Sequence, residues 1–553
     1  MSFKRVSGFK LAKMSDYPLN TSQKAAAGHV GGPMLVVAGA GTGKTTVIAE
    51  RVASLLRGGH ALPGEILALT FSNEAAENIR ARVEEKSAAP DLEVSTFHSY
   101  CFNLLKRNHV AFDVLEKEDL WIHLRRNIQR LPLDKYLKAS DPAKFLDDFL
   151  NFFSRCHDEL VDCHKYADYV AQLRGGGDAG LPRVTRAKQA DTLSGEDVML
   201  RCEEVARVYA AIEALLAERN LLTFGGTIVR AVQLLRRNPA VLEEERQRAR
   251  FILIDEFQDC NTAQIELAGL LGGAAQNVFA VGDPDQAVYR FRGASSGAFL
   301  HFKQRFPGMK EVTLGDNQRS TPAILHCAYK AIQKNPAALS GFAGGKRQPL
   351  QSARHARHAA GPGAQQDMQQ SLGFDDFPNP AVQVVLAGKA ARQAAHVAES
   401  ILALRQETGA QWNDFAVLYR ANSHSEALIK ELARREIPFD LSGANLLETA
   451  ILRDLLAVLG CLNSLRDNVS LFRLALIPQF RIDLKQLQKD MRGAERGVPL
   501  MKTLEDSEPG KQLMAKITAA RAKLELEARS AGKVLAKVVG EFLNGERPIG
   551  WQP

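Results

Sequence analysis

Residues 33–57 limit the possible folds more than any other part of the chain. The apolar run Met34-Leu35-Val36-Val37 leads into Ala38-Gly39-Ala40-Gly41-Thr42-Gly43-Lys44-Thr45, and a helical pattern follows through Leu56. A strand, a glycine-rich turn and a helix opening on Lys-Thr form a cradle in which backbone N–H groups and the positive helix end meet phosphate oxygens. Lys44 is placed to reach β- and γ-phosphates, and the Thr45 hydroxyl suits Mg²⁺. The general pattern opens on Gly where this chain has Ala38.

Three further short apolar runs, Ile66-Leu67-Ala68-Leu69, Phe251-Ile252-Leu253-Ile254 and Val278-Phe279-Ala280-Val281, alternate with helical segments. Buried strands spaced by helices predict an α/β fold with a doubly wound, mostly parallel sheet whose site lies at the strand C-termini. The roughly 150 residues from Cys101 to Arg250 are helical in period and too long for a loop, which predicts an inserted helical subdomain. Within it, 175–193 reads as an exposed loop. The Gly/Pro/Gln-rich stretch 341–380 reads as a linker or insertion. A second α/β pattern starts at Val382-Gln383-Val384-Val385 and continues through Phe415-Ala416-Val417-Leu418, and the rest is helical.

Polar residues follow two of these runs. Asp255 and Glu256 end the third, where one carboxylate can hold Mg²⁺ and the next can orient or deprotonate water. Gln286 follows the fourth, where an amide can sense a γ-phosphate. Tyr289-Arg290-Phe291-Arg292 then interleaves rings with guanidiniums, a combination suited to single-stranded nucleic acid.

The 553 residues suggest three to four domains, and a net charge of +8 favours a polyanionic partner. Seven scattered cysteines do not form a disulfide framework, and Met1 to Met14 lacks the apolar core of a secretory signal. A cytoplasmic protein with no membrane span is expected. Cys156-His157 and Cys163-His164 lack the close spacing of a zinc site.

In order and content these blocks resemble the UvrD/Rep family of superfamily 1 DNA helicases. The resemblance implies RecA-like motor domains, ATP and Mg²⁺ as cofactors, and 3′-to-5′ movement on single-stranded DNA or on DNA with a 3′ single-stranded tail. Leu19-Asn20-Thr21-Ser22-Gln23 is similar to the adenine-reading motif, with Gln23 the reader, and Ala38 is a common family opening of the phosphate loop. Thr70-Phe71-Ser72-Asn73 and Ser95-Thr96-Phe97-His98 resemble strand-contacting motifs, which implies DNA contacts by Phe71, Asn73, Thr96 and His98. Asp255–Asp259 resembles the Asp-Glu-Phe-Gln-Asp box, with Asp255 and Thr45 for Mg²⁺ and Glu256 for water. Gln286, Tyr289, Phe291 and Arg292 fall on the motif joining γ-phosphate to DNA, and Asn317-Gln318-Arg319-Ser320 makes Arg319 a γ-phosphate arginine.

The resemblance divides the chain into a first motor (1–105 and 220–340), a helical insertion (106–219), a linker (341–380), the opening of a second motor (381–445) and a partial second insertion (446–553). Gln318 stands where relatives carry Tyr. The family's last two motifs are not found, so the chain is expected to be an N-terminal portion that binds ATP with weak or absent DNA-stimulated hydrolysis. The alternatives are an ATPase subunit of a recombination or anti-phage complex whose protein partner supplies a motor half or nuclease, and an ATP-independent single-strand-binding remnant. Intact Lys44, Asp255 and Glu256 speak against the remnant.

Overall fold

The computed structural model describes residues 18–87, 89–136, 145–176, 194–287, 297–334, 349–353, 382–421, 424–441 and, with short breaks, 450–526. Tyr289, Phe291 and Arg292, the loop after 176, and most of the linker 341–380 lie outside the described residues. The chain divides into two compact units that part between Val384 and Val385.

In the larger unit, β1 (Met34–Ala38), β2 (Ile66–Thr70), β3 (Glu93–Thr96), β6 (Phe251–Ile254), β7 (Val278–Gly282) and β8 (Lys310–Leu314) form one sheet in the order β3-β2-β6-β7-β1-β8. Every neighbouring pair is parallel. All six C-terminal ends therefore lie along one edge. The four apolar runs are four of these strands. β3 and the edge strand β8 alternate in burial or carry charge, and their sequences hide among helical residues.

Period-2 alternation sends neighbouring side chains to opposite faces, and both faces are covered. Leu35, Val37, Leu67, Leu69, Ile252 and Ile254 join one core, while Met34, Val36, Ile66, Ala68, Phe251 and Leu253 join the other. On the second face lie α2 (Lys44–Arg57), which buries Val47, Ile48, Val52 and Leu55, and α3 (Asn73–Glu84), which buries Ala76, Ile79 and Val83. On the first lie α4 (Phe97–Arg107), α9 (Phe224–Arg237) and α11 (Thr262–Gly272). Each fully buried Leu, Ile or Val stabilises by roughly 1.5–3 kcal/mol.

The helical insertion between α4 and α9 contains α5 (Lys117–Arg126), α6 (Leu146–Asp158), α7 (Cys163–Gly175) and α8 (Gly195–Ala217). It builds its own core from Leu124, Phe149, Phe153, Tyr209 and Ile212, with the Phe153 and Tyr209 rings stacked at 4.3 Å. A short parallel pair, β4 (Asp113–Leu115) with β5 (Leu221–Thr223), closes its base. After β8 the chain forms β9 (Asp316–Asn317) and a helix over Pro322–Ile332, and β10 (Gln351–Ser352) pairs with β9.

In the second unit, helices Ala390–Thr408 and Ser425–Arg434 pack through Ala398, Ile401 and Leu432, and Ile437 joins them. Helices Ala450–Asn463, Asn468–Ala475, Leu500–Glu505 and Glu508–Leu526 share a separate core around Val458, Leu471, Leu504 and Ile517. The strands expected at 382–385 and 415–418 are not formed; both stretches lie outside any strand. Val384, Leu386 and Leu418 are 87%, 94% and 95% exposed. A parallel strand needs ladder partners on its flanks, and these stretches have none among the described residues. No helix of the described residues is long and apolar enough to cross a membrane.

Candidate active site

The phosphate loop leaves β1 and turns through Gly41 at φ 72° and Gly43 at φ 86°, left-handed values that glycine adopts without a Cβ penalty. Gly43 is the N-cap of α2 and supplies no side-chain cap, so the helix N-terminus is left open to an anion. The Thr42 hydroxyl closes the loop by donating to the Gly39 carbonyl at 2.8 Å. Thr45 is half-buried on the first turn of α2.

Three braces hold the loop from outside. Gln23 is buried on a helix over Thr21–Ala27; its Nε2 donates to the Thr42 carbonyl at 2.9 Å and its Oε1 accepts the Asn20 N–H at 3.0 Å. Asn317 Nδ2 donates to the Ala40 carbonyl. The Gln318 N–H donates to the Gly41 carbonyl at 2.8 Å. Asn20 Nδ2 in turn donates to Asp316 Oδ2 at 2.7 Å, which joins the start of the domain to the segment after β8.

Lys44 Nζ lies 3.0 Å from Glu256 Oε2. Asp255 directly follows β6 and is 4% exposed; burial, and then the neighbouring Glu256 carboxylate, pushes its pKa up to about 6 against the pull of Lys44. Burial pushes Asp259 up to about 6 as well, and its Oδ1 meets no partner among the described residues. Asp283 is raised by burial, and Lys44 opposes the shift. Burial is thus the leading cause of all three shifts, and Lys44 opposes each. An all-oxygen set of this kind, with the Thr45 hydroxyl beside the phosphate loop, fits Mg²⁺, which takes one or two carboxylates together with substrate phosphates.

Gln258 ties these acids together. Its Nε2 donates to Glu256 Oε2 at 2.6 Å, and its Oε1 accepts the Asp283 N–H at 2.8 Å. The link is so close that a Cβ on Gly282 would sit 2.7 Å from Gln258 Oε1. Gln286 is half-buried and donates from Nε2 to Asp283 Oδ2 at 2.7 Å, so its amide is held beside the end of β7. Arg319 is exposed, with its N–H on Asn317 Oδ1 at 2.8 Å.

Along the same sheet edge, Phe71 and Asn73 follow β2, half-buried and exposed respectively. Thr96 caps α4, its Oγ1 accepting the Ser99 N–H at 3.2 Å. Burial lowers the pKa of His98, whose ring meets exposed Phe224 edge-on at 5.8 Å. The fold brings Gln23, Lys44, Thr45, Asp255, Glu256, Gln286 and Arg319 around one loop and sets Phe71, Asn73, Thr96 and His98 further along the edge. Gln258 and Asn317 lie within the motifs, yet the Gln258 bridge and the Asn317 brace are seen only in the fold. An amide one residue removed from a strand-terminal acid was the available signal.

A parallel sheet with an open glycine-rich phosphate loop on β1 and an acidic pair on β6 defines a P-loop nucleotide-binding protein. The comparisons narrow this class. The profile of the UvrD/REP helicase N-terminal domain matches residues 19–307, and that of the UvrD-like helicase C-terminal domain matches residues 312–518. The chain belongs to the UvrD/Rep helicase family. It is 32% identical over 481 residues to ATP-dependent DNA helicase UvrD1 of Mycobacterium tuberculosis, covering 83% of this chain and 54% of that protein. It is 29% identical over 478 residues to ATP-dependent DNA helicase Rep of Escherichia coli (85% and 62%) and 28% identical over 478 residues to DNA helicase II of Rickettsia typhi (86% and 64%). The chain spans between about half and two thirds of the length of these relatives. The C-terminal match reaches residue 518, so the expectation of an N-terminal portion lacking the closing motifs is not supported.

Proposed function

We propose that the chain is an ATP-driven DNA motor that hydrolyses ATP to move 3′ to 5′ along single-stranded DNA. One observation carries this reading: a single edge of one parallel sheet holds both the phosphate loop with Glu256 and the polar and aromatic ends of β2 and β3. Chemistry and track thus share a rigid support.

In this mechanism the α2 N-terminus and the loop N–H groups bind the phosphates, and Lys44 leaves Glu256 for the β/γ-phosphate oxygens. Glu256, freed of its cation, orients water and accepts its proton. Asp255 and Thr45 would hold Mg²⁺, which when bound neutralises phosphate charge. Gln286 and Arg319 sense and stabilise the γ-phosphoryl; an arginine in that role contributes on the order of 10³ or more in rate. Phe71 stacks on a base, while Asn73, Thr96 and His98 meet the backbone, and stacking contributes roughly 1–3 kcal/mol per base. Tyr289, Phe291 and Arg292 extend the track. The homologous names add weight, since each of the relatives above is called a DNA helicase.

A strand-displacement assay on duplexes with a 3′ or a 5′ single-stranded tail tests the proposal. ATP-dependent displacement from the 3′-tailed substrate is expected. Equal displacement from both, or displacement without ATP, would contradict it.

A further inference from the structure

The C-terminal end of α6, in the helical insertion, is fastened to the loop that carries Glu256. Asn261 Nδ2 donates to Asp158 Oδ1 at 2.7 Å, and Thr262 Oγ1 donates to Glu159 Oε2 at 2.6 Å. The adjoining His157 ring sits 3.3 Å from Thr223 Oγ1 and 3.2 Å from Glu213 Oε1. Asn261 is 7% exposed and fully engaged, because its Oδ1 also caps α11 by accepting the Gln264 N–H at 3.0 Å. Gln264 Oε1 returns the contact by accepting the Asn261 N–H at 3.0 Å.

At the other end of the same loop Glu256 stands at φ 48° and ψ 45°. A left-handed conformation costs a non-glycine residue roughly 1–2 kcal/mol and persists only where the surroundings over-determine it. β6 fixes the upstream side. Downstream, the Asp259 N–H donates to the Glu256 carbonyl at 3.0 Å and the Cys260 N–H to the Phe257 carbonyl at 3.1 Å, and the loop passes directly to Asn261. Its far end is Asn261, held on one side by the cap of α11 and on the other by a carboxylate that comes from another subdomain, 103 residues earlier in the chain.

We infer that Asp158 is a positioning residue for ATP hydrolysis: by holding Asn261 it keeps the 256–261 loop seated, and with it the Glu256 carboxylate that takes the proton of water. The inference rests on the ATPase reading above. It adds that the seating of the helical insertion governs turnover, through a residue that lies in none of the motifs.

The test compares steady-state ATP hydrolysis and fluorescent-nucleotide binding for the whole chain and its variants. Asp158→Leu should lower kcat about tenfold, in line with the cost of a small misplacement, with KM within about twofold and one nucleotide still bound per chain. Asp158→Asn keeps a carbonyl acceptor for Asn261 Nδ2 and should retain wild-type kcat. An unchanged kcat in Asp158→Leu, or a KM that rises in step with the loss, would overturn the inference. Should Asp158→Leu fail to fold, Asp158→Ser draws the side chain back out of reach of Asn261 while keeping it polar: a severalfold lower kcat at unchanged KM supports the inference and a wild-type kcat overturns it. A wild-type chain without any turnover would overturn the ATPase reading and this proposal with it.

Discussion

Lys44 Nζ and Glu256 Oε2 stand 3.0 Å apart, so the cation suited to phosphate and the carboxylate suited to water are each other's partner in this structure. A nucleotide must break this pair to use either group. The Glu256 side chain is 36% exposed, so the pair stabilises by only about 0.2–1 kcal/mol. Glu256→Gln should therefore bind ATP about two- to fivefold more tightly while losing turnover, because Lys44 no longer has a competing anion. Equilibrium titration with a fluorescent nucleotide, together with a phosphate-release assay, measures both.

Gln258 joins Glu256 to the backbone of Asp283. Gln258→Ala should lower kcat about tenfold or more and destabilise by about 1–3 kcal/mol, since the Asp283 N–H is left buried without a partner. Thermal melting and steady-state hydrolysis report the two effects separately. Gln258→Glu should be worse, because it sets a further carboxylate between acids that burial already holds above their usual pKa.

Gly41 faces the Asn317 brace at close range. A Cβ there would lie 2.7 Å from Asn317 Nδ2 and 2.8 Å from the Arg319 Cβ, at a φ of +72°. Gly41→Ala should strain the loop and push Asn317 off the Ala40 carbonyl. The expected loss in nucleotide affinity is tenfold or more, about 1.4 kcal/mol, read by the same titration.

Burial pushes Asp158 up to about 6, against the hydrogen bond from Asn261. A carboxyl with a raised folded pKa binds more protons folded than unfolded, so this group's contribution to stability falls as pH rises from about 4 through 6. Asp158→Asn should accordingly melt a few degrees above the wild type at pH 8, with the difference narrowing through pH 6 and vanishing only below about pH 4. Melting curves across that range check the sign.

Much of the six-stranded sheet was legible because its central strands are short, wholly apolar and punctuated by turns: residues 34–37, 66–69, 251–254 and 278–281 all fall in strands. The edge strands were not, since Glu93–Thr96 buries alternate residues only and Lys310–Leu314 buries Leu314 alone. At the site, Lys44, Asp255 and Glu256 could be read locally, because a phosphate loop and a strand-terminal acid are set by spacing. Contacts such as Asp158 with Asn261 join distant segments and leave no spacing signal. The runs at 382–385 and 415–418 show the converse: an apolar pattern marks strand-competent residues, but only paired neighbours make a strand.

The central claim, that nucleotide hydrolysis and DNA binding share this sheet edge, is tested most directly by the rate of Mg²⁺-dependent ATP hydrolysis with and without single-stranded oligonucleotide, for the wild type and Lys44→Ala. The expected result is turnover that single-stranded DNA raises and that Lys44→Ala abolishes while leaving DNA binding intact. Turnover that survives Lys44→Ala, or that single-stranded DNA leaves unchanged, would contradict it.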